Sequence, residues 1–261
     1  MVRKRARVTI DSQPHRGIAV LPGRRQRSAL ALPVALTLAL LGALSAVAAR
    51  PTAAADGLPE CRYDDVPTQH GDFAEWRITL LDTIYELSRS YVPPNLVSVE
   101  EAGINGIGKV RRLVLDDLAA LADAARQAGN PLRVVSAYRS YSLQKTLYRR
   151  EVERYGEEQA RLQVARPGHS EHQLGTGIDF GSAGTNKKGW HYSDWVKTPA
   201  GGWLRANGWK YGFLMSYPKG YKSVTCYRYE PWHWRYVGRE MAADVRASGL
   251  TLREYLWRNF E

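Results

Sequence analysis

Apolar side chains recur at helical spacing along the first half of the chain beyond residue 56. The spacing predicts an amphipathic helix over 72–91 that ends before Pro93 and Pro94 and has one apolar face: Phe73, Trp76, Leu80, Ile84 and Leu87. An Ala- and Leu-rich stretch over 111–130 predicts a second helix, with Gly129 and Asn130 as its stop. A β-branched run over 132–138 then predicts a strand, and 140–156 predicts a further helix after a serine.

The second half of the chain has short strand-like runs bounded by glycine or proline. Strands are predicted in GIDFG from residue 177, over 210–217 and over 223–238. Between them a short helix is predicted with Pro199 in its first turn, and two helices follow, at 239–247 and after Thr251. No internal repeat is present. The order predicts an α+β domain with a small, mostly antiparallel sheet flanked by helices, rather than a doubly wound sheet.

The N-terminal region differs from the rest of the chain in charge and hydropathy. Residues 1–27 carry eight basic side chains against one acid, and residues 28–49 carry no charge. A cleaved signal peptide and a retained membrane anchor both fit, because the apolar run approaches the roughly 20 residues that span a bilayer. A core helix fits less well, since the run lacks amphipathic periodicity. We therefore divide the chain into a leader over 1–55 and an extracytoplasmic domain over 56–261.

The distribution of charge and the number of cysteines limit which binding partners and which kind of cysteine site are expected. Most of the formal net charge of +11 lies in the leader, so it does not indicate nucleic-acid binding by the domain. The two cysteines, Cys61 and Cys226, are too few for a disulfide scaffold and lack zinc-finger spacing. One bridge is expected outside the cytoplasm, with two buried free thiols as the alternative. A monomer is expected.

The stretch GHSEHQLGTGIDF, residues 168–180, concentrates titratable side chains among glycines. His172 and Asp179 are suitable zinc ligands, and the glycines between them let the chain bend enough to direct both at one ion. EPWHWRYVG, residues 230–238, is the source from which we expect the third ligand, His233. Pro231 favours a strand start or bulge, so Glu230 is expected on the turn that enters this strand, facing the same metal.

Three separated motifs resemble those of the VanY-type D-alanyl-D-alanine carboxypeptidases. SEHQLGTGID, residues 170–179, is similar to the family's S-x-H-x-x-G-x-A-x-D motif, with Gly177 in place of the usual alanine. EPWH is similar to its E-x-W-H motif, and SAYRSYSLQ, residues 136–144, to its arginine-containing strand end. The resemblance extends over about residues 70–240.

The resemblance implies a role for each matching residue. His172, Asp179 and His233 would bind zinc, and Glu230 would be the general base. Arg139 would stabilise the oxyanion, and Gln144 and Ser170 would help to hold the peptide terminus. The implied activity is removal of the C-terminal D-alanine from peptidoglycan stem peptides.

Other functions stay open. L,D-carboxypeptidase or endopeptidase action within the same family would use the same ligands. A non-catalytic wall-binding domain is disfavoured because Glu230 is present, and binding alone needs no base beside the metal.

Overall fold

The structure is a computed structural model that describes residues 57–261. The strands are β1 (Val66–Pro67), β2 (Tyr85–Glu86), β3 (Leu96–Ser98), β4 (Asn105–Gly106), β5 (Lys109–Arg111), β6 (Leu132–Ser136), β7 (Gly177–Ser182), β8 (Phe213–Met215) and β9 (His233–Tyr236). The helices are α1 (Leu115–Gln127), α2 (Tyr141–Tyr155), α3 (Glu157–Arg161), α4 (Pro199–Asn207), α5 (Lys222–Thr225), α6 (Arg239–Ser248) and α7 (Leu252–Phe260).

One five-stranded sheet forms the centre of this region, in the order β4-β6-β7-β9-β8. Its β4–β6 pair is parallel, and its three other pairs are antiparallel. Strands β1 and β2 form a separate parallel pair, and β3 and β5 an antiparallel one. The predicted α+β class with a small, mostly antiparallel sheet is confirmed.

Helix α1 covers one face of the sheet, and its packing follows from the apolar spacing that predicted it. Leu118 and Leu121 are fully buried in the main core, which also contains Ile178 and Phe180 of β7. Two acidic residues lie in its first turn, where the N-terminal end of the helix dipole favours negative charge. The helix predicted over 111–130 is thus confirmed, with a 3₁₀ turn, Arg112–Val114, before it.

Three other confirmed helices, α2, α4 and α7, begin at side-chain caps. Ser140 accepts the backbone N–H of Leu143 at the start of α2, and Thr198 accepts that of Gly201 at the start of α4. At α7, Thr251 and Glu254 form a reciprocal capping box. Helix α6 is also where the sequence predicts one.

The predicted helix over 72–91 is wrong, because this segment folds into turns and the short strand β2. Its apolar side chains do not share one face: Trp76 lies in the main core, Leu80 in a second cluster and Leu87 in a third. The Asp82 carboxylate accepts the backbone N–H groups of Ile84 and Tyr85, which replaces helical hydrogen bonds. Helical spacing therefore arises here from a chain that contacts three clusters in succession.

Two predicted strands are shorter than expected. Within 223–238 the extended part is His233–Tyr236, and α5 with a left-handed Cys226 precedes it. Within 210–217 the strand is Phe213–Met215. In both segments tyrosines of high strand propensity lie in turns, so the aromatic content overstates the strand length.

The structure also bears on export and on the cysteines. Within residues 57–261 no helix combines the length and apolar character needed to cross a membrane. The apolar segment predicted over 28–49 lies outside the described residues. Cys61 and Cys226 form a disulfide with a Cα–Cα distance of 5.3 Å, which confirms the predicted bridge.

Candidate active site

Two neighbouring strands and one tight turn bring His172, Asp179 and His233 together. Asp179 of β7 lies directly opposite His233 of β9 in the antiparallel register. The 3₁₀ turn Glu171–Leu174 precedes β7 and supplies His172. All three residues are at most 3% exposed. One ligand atom from each lies within 4.8 Å of the others, so the described residues contain a compact group with two imidazoles and one carboxylate.

Hydrogen bonds determine which imidazole nitrogens face this group. Nδ1 of His172 lies 2.7 Å from the carbonyl oxygen of Ala137, to which it donates, so Nε2 is the atom that faces Asp179 Oδ1 at 3.3 Å. On His233 the assignment is reversed: Nδ1 lies 3.0 Å from Asp179 Oδ1, and Nε2 lies 2.9 Å from Glu171 Oε2. Nε2 of His172, Nδ1 of His233 and the Asp179 carboxylate therefore converge.

Burial and neighbouring charge shift the pKa values of the two histidines in opposite directions. Burial, and then the Arg139 cation, lower the pKa of His172 to about 4, so this imidazole is neutral at physiological pH. Burial also opposes a charged His233, but its hydrogen bonds to Asp179 and Glu171 outweigh that effect and raise its pKa to about 10. An ion bound here would replace the proton on Nδ1 of His233.

Glu230 lies on the turn that leads into β9, as the sequence predicts. Its backbone N–H donates to the carbonyl of Tyr217, and its own carbonyl accepts the N–H of His233. Burial, with the nearby Asp179 charge, raises the pKa of its carboxyl group to about 7. A carboxyl with such a pKa can both accept and release a proton near neutral pH.

The arginine predicted from the strand end lies beside the histidine–aspartate group. Nη2 of Arg139 donates to Asp179 Oδ2 at 2.5 Å, and its Nε donates to Ser136. Gln144 is 1% exposed, and its side chain joins Nη1 of Arg139 to the carbonyl of Ala165. Ser170 is 3% exposed and precedes the turn that carries His172. Gln144 thus supports Arg139, and its predicted contact with a peptide terminus stays a prediction, as does that of Ser170.

Three buried residues at this site were not predicted from the sequence. Glu171 accepts hydrogen bonds from Ser216 and Arg235 in addition to its contact with His233. Of the three, only Arg235 had a signal in the sequence. It lies two positions after His233, and residues two apart in a strand share a face, so Arg235 could have been expected on the same side of the strand as the ligand. Glu171 and Ser216 are distant in sequence, and no local pattern links them.

Gly177 allows the histidine-bearing turn to lie close against β7. A Cβ at this position would come within 2.9 Å of the Glu171 carbonyl carbon and 3.0 Å of the His172 nitrogen. Both are backbone atoms, so the turn itself would have to move. The sequence departs from the family motif at this position, and the close approach gives a physical reason for glycine.

We expect Gly177→Ala to displace the turn and lower the free energy of unfolding by about 1–3 kcal/mol, the usual effect of overpacking. Denaturant unfolding and the zinc content of the variant measure the effect. Gly71→Ala is the matched control, because a Cβ there meets only ordinary contacts, at 3.8 and 3.9 Å. Equal stability of the two variants would contradict the steric argument.

Two other features are less suited to a catalytic metal. Asp65, Glu86 and His169 form a second group, but Arg166 already pairs with Asp65 and the His169 ring is held by the Asp82 carbonyl. A groove of about 800 Å³ runs along β8 in the described part of the chain and is lined by none of the three converging residues. Donor chemistry, rather than cavity size, therefore identifies the site.

A catalytic zinc centre typically has three protein ligands and keeps one coordination position free. Two imidazoles that can be neutral and one carboxylate match such a set of nitrogen and oxygen donors. With Glu230 beside them on an α+β domain, they define a hydrolytic metal enzyme. Residues 108–239 match the VanY family, described as D-alanyl-D-alanine carboxypeptidase. The chain belongs to this family.

Relatives in sequence agree with this family. YodJ of Bacillus subtilis is 39% identical over 183 residues, which cover 68% of this chain and 66% of YodJ. A D-alanyl-D-alanine carboxypeptidase of Enterococcus faecalis is 30% identical over 197 residues, covering 72% of this chain and 68% of the relative. The chain thus spans about two thirds of each protein.

Solved structures agree with the fold. The LD-carboxypeptidase LdcB superimposes with a TM-score of 0.62 at 34% identity, over 70% of this chain and 86% of LdcB. A mutant of the vancomycin resistance D,D-pentapeptidase VanY, in complex with Zn(II), superimposes with a TM-score of 0.59 at 30% identity, over 69% of this chain and 99% of VanY.

Proposed function

We propose that this protein is a zinc-dependent D-alanyl-D-alanine carboxypeptidase that removes the C-terminal D-alanine from peptidoglycan stem peptides. The observation that carries the proposal is the buried convergence of His172, Asp179 and His233 beside Glu230. Nε2 of His172, a carboxylate oxygen of Asp179 and Nδ1 of His233 would hold the zinc ion. Membership of the VanY family and the zinc complex of a related VanY support this assignment.

Zinc in such a site lowers the pKa of water and polarises a carbonyl group. The Glu230 carboxylate accepts a proton from the attacking water while the water oxygen bonds to the scissile carbonyl carbon. When the carbon–nitrogen bond breaks, Glu230 returns that proton to the departing D-alanine amine. Its raised pKa suits both transfers, because a group that titrates near 7 is an effective base and acid in turn.

Arg139 provides the positive charge for the transition state. Its contact with Asp179 orients that carboxylate, and the Arg139 side chain is 17% exposed, so it is not fully enclosed by the protein. A cation fixed beside the carbonyl stabilises the oxyanion that develops during attack. Ser170 lies two residues before His172, where it would contact the bound peptide, and Gln144 would act through Arg139.

The substrate places the protein outside the cytoplasm, where stem peptides of the wall are found. The disulfide agrees with an oxidising compartment. For residues 28–49, a cleaved signal peptide and a retained membrane anchor both stay predictions. The monomeric state is also a prediction. We propose no nucleic-acid partner, because most of the net positive charge lies in residues 1–27.

L,D-carboxypeptidase action is the second candidate, and the similarity to LdcB is the observation that favours it. We expect zinc-loaded protein to convert pentapeptide muropeptides to tetrapeptides, with a mass loss of one alanine. The same incubation with tetrapeptide muropeptides, analysed by mass spectrometry, tests the L,D reaction. Cleavage of tetrapeptides alone would replace the D,D assignment, and no cleavage of either substrate would contradict both.

A further inference from the structure

Glu171 is a buried carboxylate beside the site whose two oxygens both accept hydrogen bonds. It is 4% exposed, and its Oε2 lies 2.9 Å from Nε2 of His233 and 2.5 Å from the Ser216 hydroxyl. Its Oε1 accepts from Nη1 of Arg235 at 3.2 Å. Burying a carboxylate is costly unless it is paired, and here each oxygen has a donor.

Because a carboxylate only accepts hydrogen bonds, Nε2 of His233 must carry the proton in the contact with Glu171. The neutral imidazole then has its lone pair on Nδ1, which is the atom facing Asp179 and the converging ligand atoms. We propose that Glu171 is a positioning residue that holds His233 in the orientation and tautomer required to bind zinc through Nδ1.

The orientation of Glu171 is itself held from two sides. Arg235 is fully buried, and its Nη2 donates to the carbonyl of Trp76 at 2.8 Å, so the guanidinium cannot swing away from Oε1 without losing that bond. The Ser216 hydroxyl donates to the other oxygen. The Trp76 segment, Arg235 and Glu171 thus form a buried chain that ends at the ring of His233.

This inference rests on the proposed zinc site and predicts a particular effect of Glu171→Gln. Arg235 can only donate, so the amide oxygen of the glutamine would face Arg235 and its NH₂ group would face His233. That NH₂ group is a donor facing the N–H on Nε2 of His233, so it disfavours this proton position and favours the tautomer with the proton on Nδ1. A protonated Nδ1 has no lone pair with which to bind the metal. We expect the Kd for zinc to rise about 10- to 100-fold, the usual effect of losing an outer hydrogen-bond partner.

The experiment measures the zinc Kd by competition with a chelator, and the imidazole N–H resonances of ¹⁵N-histidine-labelled protein at saturating zinc. In the wild type, the His233 N–H should be strongly deshielded by the Glu171 carboxylate, and in Glu171→Gln this resonance should move or disappear. The His172 N–H, which donates to the Ala137 carbonyl, should not change and is the internal control.

Further variants separate positioning from general destabilisation. Glu153→Gln removes an equal charge from an exposed site, where the side chain is 65% exposed, and should leave the zinc Kd unchanged. Glu171→Asp retains the carboxylate and should have a Kd between the wild type and Glu171→Gln, even if the glutamine variant folds poorly. A wild-type Kd and an unchanged His233 resonance in Glu171→Gln and Glu171→Asp would overturn the inference.

The proposed function can fail separately. Wild-type protein that binds zinc but cleaves no muropeptide would contradict the peptidase assignment and leave the role of Glu171 intact. Wild-type protein that cleaves the peptide, with a Glu171→Gln variant of unchanged zinc Kd, would contradict the role of Glu171 alone.

Discussion

Glu230→Gln is expected to keep stoichiometric zinc and to lose at least ~10²-fold in turnover, the lower range for removal of a general base. Glutamine has nearly the same shape but cannot accept a proton from water. Because Glu230 is not among the three proposed ligands, metal binding should persist. Steady-state turnover on pentapeptide muropeptide and elemental analysis of the same sample measure the two properties.

His172→Ala is the contrasting control, since it removes a proposed ligand. It should lose both zinc and activity. If Glu230→Gln retains turnover within a few fold of the wild type, the base must be another group. If His172→Ala and His233→Ala both retain full zinc, the metal lies elsewhere.

The same substitution should stabilise the metal-free protein at alkaline pH. The pKa of Glu230 is raised by burial to about 7, so folding favours its protonated form. Its contribution to stability is fully present below the ordinary value of 4.5 and is lost as pH rises through about 7. The difference corresponds to at most about 3 kcal/mol. In chelator, Glu230→Gln should therefore unfold at higher denaturant than the wild type at pH 8, and at similar denaturant at pH 4.

Loss of the Cys61–Cys226 bridge is expected to produce the largest change in stability. The two residues are 165 positions apart, and the chain-entropy model gives about 5 kcal/mol for a loop of that length, as an upper value. Cys226 lies four residues before Glu230, on the segment that leads to the base and to His233. Reduction should therefore lower activity before zinc is released.

Buried Arg253 limits that effect, because it ties the same parts of the chain together. Its guanidinium donates to Asp82 and to the carbonyls of Val224 and Pro59. The Cys61→Ser, Cys226→Ser double variant should consequently remain folded but melt at a lower temperature. Thermal unfolding with and without reductant measures this, and reductant should have no effect on the double variant. An unchanged melting temperature in reduced wild type would contradict the stabilising role of the bridge.

The predictions were most accurate for helices whose stability depends on residues close together in the sequence. Helix α1 has a continuous apolar face and a glycine stop, and α7 has a local capping box, so both could be derived from spacing and caps. The segment 72–91 failed for the opposite reason. Its carbonyl groups at Phe73 and Trp76 bond to Arg111 and Arg235, which come from distant strands, and no local pattern reports such partners.

The candidate site divides in the same way. His172, Asp179, His233 and Glu230 could be named from the sequence because zinc chemistry accepts few residue types and their motifs are short and local. The sequence also predicted that Glu230 lies on a turn, from the proline that follows it. Three other features could be known only from the folded chain. They are the register of β7 against β9, the close approach of the His172 turn to Gly177, and the hydrogen bonds of Glu171 to Ser216, His233 and Arg235. These features join residues up to 64 positions apart, and hydrogen bonding at that separation depends on how the strands pack rather than on any pattern along them.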